Sequence, residues 1–134
     1  MAVPASRTPD TPLRASELRT VLADLGAIDR VLGGLIVTPD GLVVTSTLPH
    51  TFPAETLAAL AATLGRELEV GAERLGRGAF RTALFATAGG SLSIGSTRLG
   101  FLIVLGQDGA DADRVRAALE HAIARLGPAV ARRE

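Results

Sequence analysis

The chain has no cysteine, no lysine, no tryptophan and no tyrosine. Each absence removes a class of chemistry. Without cysteine there is neither a disulfide nor a thiolate metal site, which fits a reducing, cytoplasmic setting. Four phenylalanines are the whole aromatic complement, too few for platforms that stack bases or sugars. All 14 basic residues are arginine, and 14 carboxylates balance them to a net charge of zero. A nucleic-acid binder needs a basic face against the phosphates, so no nucleic-acid partner is expected. The longest run of large apolar residues is Phe101-Leu102-Ile103-Val104-Leu105. That is far short of the roughly 20 residues a membrane span needs, so no membrane insertion is expected. The opening "MAVPASRTPDTP" is proline-rich and lacks an apolar core, so it does not read as a secretory signal.

The missing lysine decides one motif. Residues 90–97, "GSLSIGST", place Gly90, four residues, Gly95, Ser96 and Thr97 almost as a phosphate-binding P-loop would. That loop needs a lysine after its second glycine, because the ammonium meets the outer phosphates. It also needs a following helix whose N-terminus faces the anion. Here Ser96 stands in the lysine position, and the β-rich run "STRLGFLIVLG" follows. The segment is expected to be a strand bounded by turns, and no nucleotide or other cofactor is expected.

What is present is periodicity. A chain of 134 residues suits one domain that buries about two-thirds of its unfolded surface. Thr11 and Pro12 read as an N-cap and first helical residue, and Leu18, Val21, Leu22 and Leu25 recur at helical spacing, predicting a helix over 12–25. "LGGLIVTPDGLVVTST" places two β-branched runs around Pro39-Asp40-Gly41, a hairpin. Both runs are apolar on successive residues, as in strands covered on both faces. Pro53 opens a second helix, with Leu57, Leu60, Leu64, Leu68 and Leu75 as its apolar stripe, ending at Gly76. Three strands follow in meander: "AFRTALFAT", "SLSIGS" and "RLGFLIVLG". Asp111 caps a last helix whose stripe is Val115, Ala118, Leu119, Ala122, Ile123 and Leu126, ending at Gly127-Pro128. The expected class is α+β, an α/β/α sandwich in the order α-β-β-α-β-β-β-α. Its single domain occupies residues 12–127, between a disordered tail (1–11) and a C-terminal tail (128–134).

Catalytic groups are sparse. His50 falls in a loop and His121 on the outer face of the last helix, and neither has a second ligand at metal spacing. Asp40 has a sufficient reason in turn geometry. Ser91 and Ser93 lack the strained elbow of a hydrolase nucleophile. "GQDGADAD" resembles a calcium loop only in composition, lacking the bidentate glutamate. Enzymatic activity is not expected.

The second helix is unusual. Beside its leucines lie Ala58, Ala59, Ala62 and Gly65, with Thr63, Arg66 and Val70 nearby, where a solvated helix normally carries long polar residues. Small residues at 58, 62 and 65 would let another helix approach closely.

Together these pieces resemble the Roadblock (dynein light chain) family, in its bacterial, MglB-like branch. The matching segments are "GGLIVTPDGLVVTS", "LAALAATLG", "LGRG", "GSLSIG", "LGFLIVL" and "VRAALEHAIARL", in order across residues 18–126. The resemblance implies a profilin-like fold with strand order 2-1-5-4-3, and a homodimer joined through the third strands and second helices. It also implies binding to a Ras-like small GTPase, whose hydrolysis the bacterial members can stimulate, while the family itself binds no nucleotide. Expected dimer contacts are then Ala58, Gly65, Phe80, Thr82 and Leu84. Expected partner contacts are Ala59, Ala62, Thr63, Arg66 and Val70. An arginine-finger role does not carry over to Arg66, Arg74 or Arg77, because the family has no invariant catalytic residue. The alternative is a ligand-sensing domain of the same topology, which would need an internal pocket with convergent polar groups.

Overall fold

The structure, a computed structural model, describes residues 15–129. The expected cap at Thr11, the proline at position 12 and the tail 1–11 lie outside those residues, as does most of the C-terminal tail. The element order is α1 (Ala15–Gly26), β1 (Val31–Val37), β2 (Val43–Ser46), α2 (Ala54–Arg74), β3 (Thr82–Thr87), β4 (Gly90–Thr97), β5 (Gly100–Gln107) and α3 (Ala112–Leu126). The strands form one antiparallel sheet in the order β2-β1-β5-β4-β3.

Two cores sit on opposite faces of this sheet. Strand alternation divides the apolar run of β5 between them, since successive side chains point to opposite faces. Leu102 and Val104 join Ile36 of β1 under α1 and α3, which contribute Leu18, Val21, Leu22, Leu25, Val115, Leu119, Ile123 and Leu126. Phe101 and Ile103 join Leu35 and Val37 of β1 and Ile94 of β4 under α2. A continuous run is required here because both faces are covered, and each fully buried large side chain contributes about 1.5–3 kcal/mol. Arg125 and Asp24, 2.9 Å apart, tie α3 to α1 across the surface.

β1 meets the expectation of a strand covered on both faces, whereas β2 does not. It is an edge strand with a register shift opposite Ile36 and Val37, and Leu42 and Val44 beside it are exposed. A local apolar run cannot show whether a second helix lies over it.

The hairpin turn follows its residue types. Gly41 has φ 96°, a conformation that costs a residue with a Cβ far more than glycine. The Thr38 hydroxyl donates to Asp40 Oδ1 at 2.6 Å and accepts the Leu42 amide at 2.9 Å. Asp111 caps α3 as expected, its Oδ1 accepting from the amides of Asp113 and Arg114.

The face that α2 turns to the sheet differs from the expected one. Its buried residues are Ala58, Ala61, Ala62 and Gly65, and the leucines stand at the flank. Leu57, Leu64 and Leu68 are half-buried, Leu60 is 53% exposed and Leu75 is 76% exposed. The reason is Phe101. A Cβ at Gly65 would lie 2.5 Å from its ring, so only a residue without a side chain lets the helix settle there.

Candidate protein-interaction surface

At 100° per residue the buried stripe of α2 leaves two flanks on opposite sides. One carries Leu57, Leu60, Leu64 and Leu68. Leu57 and Leu64 pack at the margin of the core that also takes in Phe80, Phe85 of β3 and Leu92 of β4. The other carries Ala59, Thr63, Arg66 and Val70, all exposed. There the Thr63 hydroxyl donates to the Ala59 carbonyl at 2.9 Å, and Arg66 donates to the Pro39 carbonyl at 2.5 Å. That second bond ties the hairpin turn to the helix, so Pro39, Asp40 and the Arg66 flank form one surface.

Asp40 lies on that surface as well. The Thr38 hydroxyl bond lowers its carboxyl below the usual range, helped by its own backbone and by the nearby Arg66 guanidinium.

Four of the five expected partner contacts therefore share an exposed face. Ala62 does not, since it is fully buried beneath the helix. Ala58 and Gly65, expected at a dimer contact, are likewise buried inside the chain, so the small stripe serves the domain's own sheet. Phe80 and Thr82 are half-buried, and Leu84 is 40% exposed on β3, which among the described residues pairs only with β4. Sequence reasoning placed Leu60 and its neighbours in the core, whereas they stand at an exposed or half-buried flank. Their signal, large apolar side chains at helical spacing, reads equally well as core.

The catalytic candidates disperse. His50 and His121 are exposed, and among the described residues no group of three or more His, Asp or Glu side chains could hold a metal ion. "GSLSIGST" is β4 from end to end. Ser93, Ser96 and Thr97 are buried, and the Thr97 hydroxyl accepts from the amides of Leu99 and Gly100 in the turn to β5. A strand rather than a helix follows, so no helix N-terminus faces these groups. Among the described residues no helix is long and apolar enough to cross a membrane.

A ligand sensor would need an enclosed polar pocket. The clefts lined by these elements hold about 180–230 Å³ each and open to the surface. The space between sheet and helices is filled by Leu, Ile, Val, Ala and Phe.

Among the described residues, then, the domain combines a core on each face of its sheet, an edge strand β3 paired on one side, and a helix exposed on two flanks. No protein-family model matches the sequence. The uncharacterised protein MJ1340 of Methanocaldococcus jannaschii is 26% identical over 106 residues, covering 79% of this chain and 93% of that one. Among solved structures, MglB of Myxococcus xanthus superposes with a TM-score of 0.76 at 18% identity, over 85% of this chain and 94% of that one. An MglB in a tetrameric arrangement gives 0.75 at 18%, over 92% and 97%. A Roadblock/LC7 domain from Streptomyces avermitilis gives 0.60 at 26%, over 81% and 97%. The chain has the fold of MglB and of the Roadblock/LC7 domains.

Proposed function

We propose that the protein is a homodimeric regulator or scaffold that binds a Ras-like small GTPase and binds no nucleotide itself. The observation that carries this reading is the unequal character of the two α2 flanks. Leu57 and Leu64 of the leucine flank pack against the same core as Phe80 and Phe85, and β3, which carries Phe85, is an edge strand of the sheet. Exposed leucines next to an open edge suit self-association, because an edge of this kind is a hazard unless it pairs. The tetrameric arrangement of one MglB supports self-association of this fold.

The opposite flank suits a different protein. Ala59, Thr63, Arg66 and Val70 make a small-residue surface with one arginine and one valine at its centre. Charge is depleted and arginine enriched at such interface centres. The proposed partner contacts are therefore Ala59, Thr63, Arg66 and Val70, with the hairpin turn beside them. The proposed dimer contacts are Phe80, Thr82 and Leu84, joined by Leu57, Leu60, Leu64 and Leu68. The GTPase comes from the Roadblock resemblance and the MglB-like fold. Any stimulation of hydrolysis would come from ordering the partner's own catalytic groups.

Three measurements test this reading. Sedimentation at micromolar concentration should give twice the chain mass, and a stable single-chain species would overturn the dimer. Small GTPases from the same genome, loaded with a non-hydrolysable analogue, should include one that binds the protein. Micromolar affinity of the protein alone for a fluorescent guanine nucleotide would overturn the nucleotide-free role.

A further inference from the structure

A cleft of about 220 Å³ lies between the edge strand β3 and the first turns of α3, lined among others by Thr82, Leu84, Ser93, Asp113, Arg116 and Leu119. The strand register explains why these residues meet. Thr82 stands opposite Gly95 and Leu84 opposite Ser93, so all four share one face of the sheet. A Cβ at Gly95 would touch Leu119 and Ile123, which makes that face the one under α3. Leu119 is buried there, while Leu84, on the edge strand, stays 40% exposed. The two leucines give the cleft apolar walls.

Ser93 sits between them. It is 2% exposed, and among the described residues its hydroxyl has no hydrogen-bond partner. The other two buried hydroxyls are both engaged, Ser96 donating to Glu69 Oε2 and Thr97 to the Gly100 carbonyl. An unpaired buried hydroxyl is destabilising, so a group from outside the chain that pairs it is favoured. Arg116 supplies a charge beside it. Its guanidinium is 3.9 Å from Asp113, too far for a hydrogen bond, and Asp113 itself is 94% exposed. The guanidinium therefore keeps donors for an oxygen ligand. The helix N-terminus adds none, because Asp111 already takes the amides of Asp113 and Arg114.

We propose that this cleft is a binding site for a small carboxylate with a short apolar tail. The tail packs between Leu84 and Leu119, and the carboxylate accepts from the Ser93 hydroxyl and the Arg116 guanidinium. The planar fork of arginine matches a carboxylate, whereas a cationic ligand would be repelled. The cleft is open to the surface, so the ligand binds weakly and exchanges readily. The site lies across the sheet from α2, and the inference holds whatever protein the α2 flanks receive.

The test titrates the isotope-labelled full chain with isovalerate and follows each backbone amide by NMR. Saturable shifts are expected at Leu84, Ser93 and Arg116, with a dissociation constant of about 1–10 mM, the scale of so small a ligand in an open site. Isoamylamine, of the same shape and opposite charge, should bind about tenfold more weakly or not at all. Acetate, which lacks the tail, should also lose about tenfold. Arg116→Gln should weaken isovalerate about fivefold, and Ser93→Ala about threefold. Ser93→Ala should also leave the urea midpoint unchanged or raised, because no hydrogen bond within the chain is lost. A lowered midpoint would mean that the hydroxyl already has a partner in the chain and would overturn the proposal. So would shifts that fail to saturate, or isovalerate, acetate and the amine acting alike, which would be binding at high concentration only.

Discussion

Gly65 lies directly over the ring of Phe101, and a Cβ at that position would come within 2.5 Å of the ring's Cε1. The helix and the sheet thus meet at a point where one side chain has been removed to admit another. Gly65→Ala should destabilise the domain by about 1–3 kcal/mol through overpacking, although alanine is the better helix former. Gly71 of the same helix has nothing within 4 Å of its would-be Cβ and no left-handed φ. Gly71→Ala should stabilise by about 0.5–1 kcal/mol. Urea titration of both variants gives opposite signs if the packing is as described, and equal signs would refute it.

The sheet edge at β3 should govern self-association. Leu84→Lys places a charge on that edge, the device natural sheets use to discourage pairing. It should raise the dimer dissociation constant about tenfold or more, equivalent to about 1.4 kcal/mol. Leu42→Lys, on the opposite rim of the sheet, should leave it unchanged. Sedimentation equilibrium distinguishes the two, and equal effects would mean that both rims pair or neither does.

Partner binding should depend on the Arg66 flank. Arg66→Glu breaks one hydrogen bond to Pro39 at an exposed site, so folding should change by no more than about 1 kcal/mol. Affinity for the cognate GTPase should fall by about 2 kcal/mol if Arg66 is a binding hot spot. Thr63→Arg blocks the same surface sterically without entering the core. Ala62→Arg is unsuitable, because Ala62 is wholly buried and the change would unfold the domain. Unchanged affinity in both Arg66→Glu and Thr63→Arg would move the site off this flank.

Asp40 contributes a pH-dependent increment. Its carboxyl titrates below the usual range, chiefly because the Thr38 hydroxyl bonds its charged form. A carboxyl lowered in the folded state stabilises the fold above its unfolded value of about 3.9, and that benefit is lost as pH falls through the lower folded value. The stability difference between wild type and Asp40→Asn should therefore be constant near neutrality and shrink on acidification below about pH 4. A difference that grew on acidification would contradict the assignment.

Much of the architecture was legible in local pattern. The Pro39-Asp40-Gly41 turn, the Asp111 cap and the doubly covered β1 all follow from residue types within a few positions of one another. The reading of "GSLSIGST" as a strand was equally local, since it needed only the absent lysine and the β-rich continuation. The exposure of one flank of α2 was legible in part, because Ala59, Thr63, Arg66 and Val70 lie away from any apolar stripe.

What the tertiary structure decided was which apolar face of α2 turns inward. Periodicity weighs residues by size and hydrophobicity, so the leucines outscore the alanines and read as core. Contact depends instead on fit against another element about 40 residues away in sequence. Phe101 fills the gap beneath the helix, and only Ala58, Ala61, Ala62 and Gly65 leave room for it. The leucines are displaced to a flank, where Leu60 and Leu75 stay exposed. The edge position of β2, with Leu42 and Val44 uncovered, has the same origin. Hydrophobicity along the chain determines that a segment seeks burial, and the packing of the whole decides what buries it.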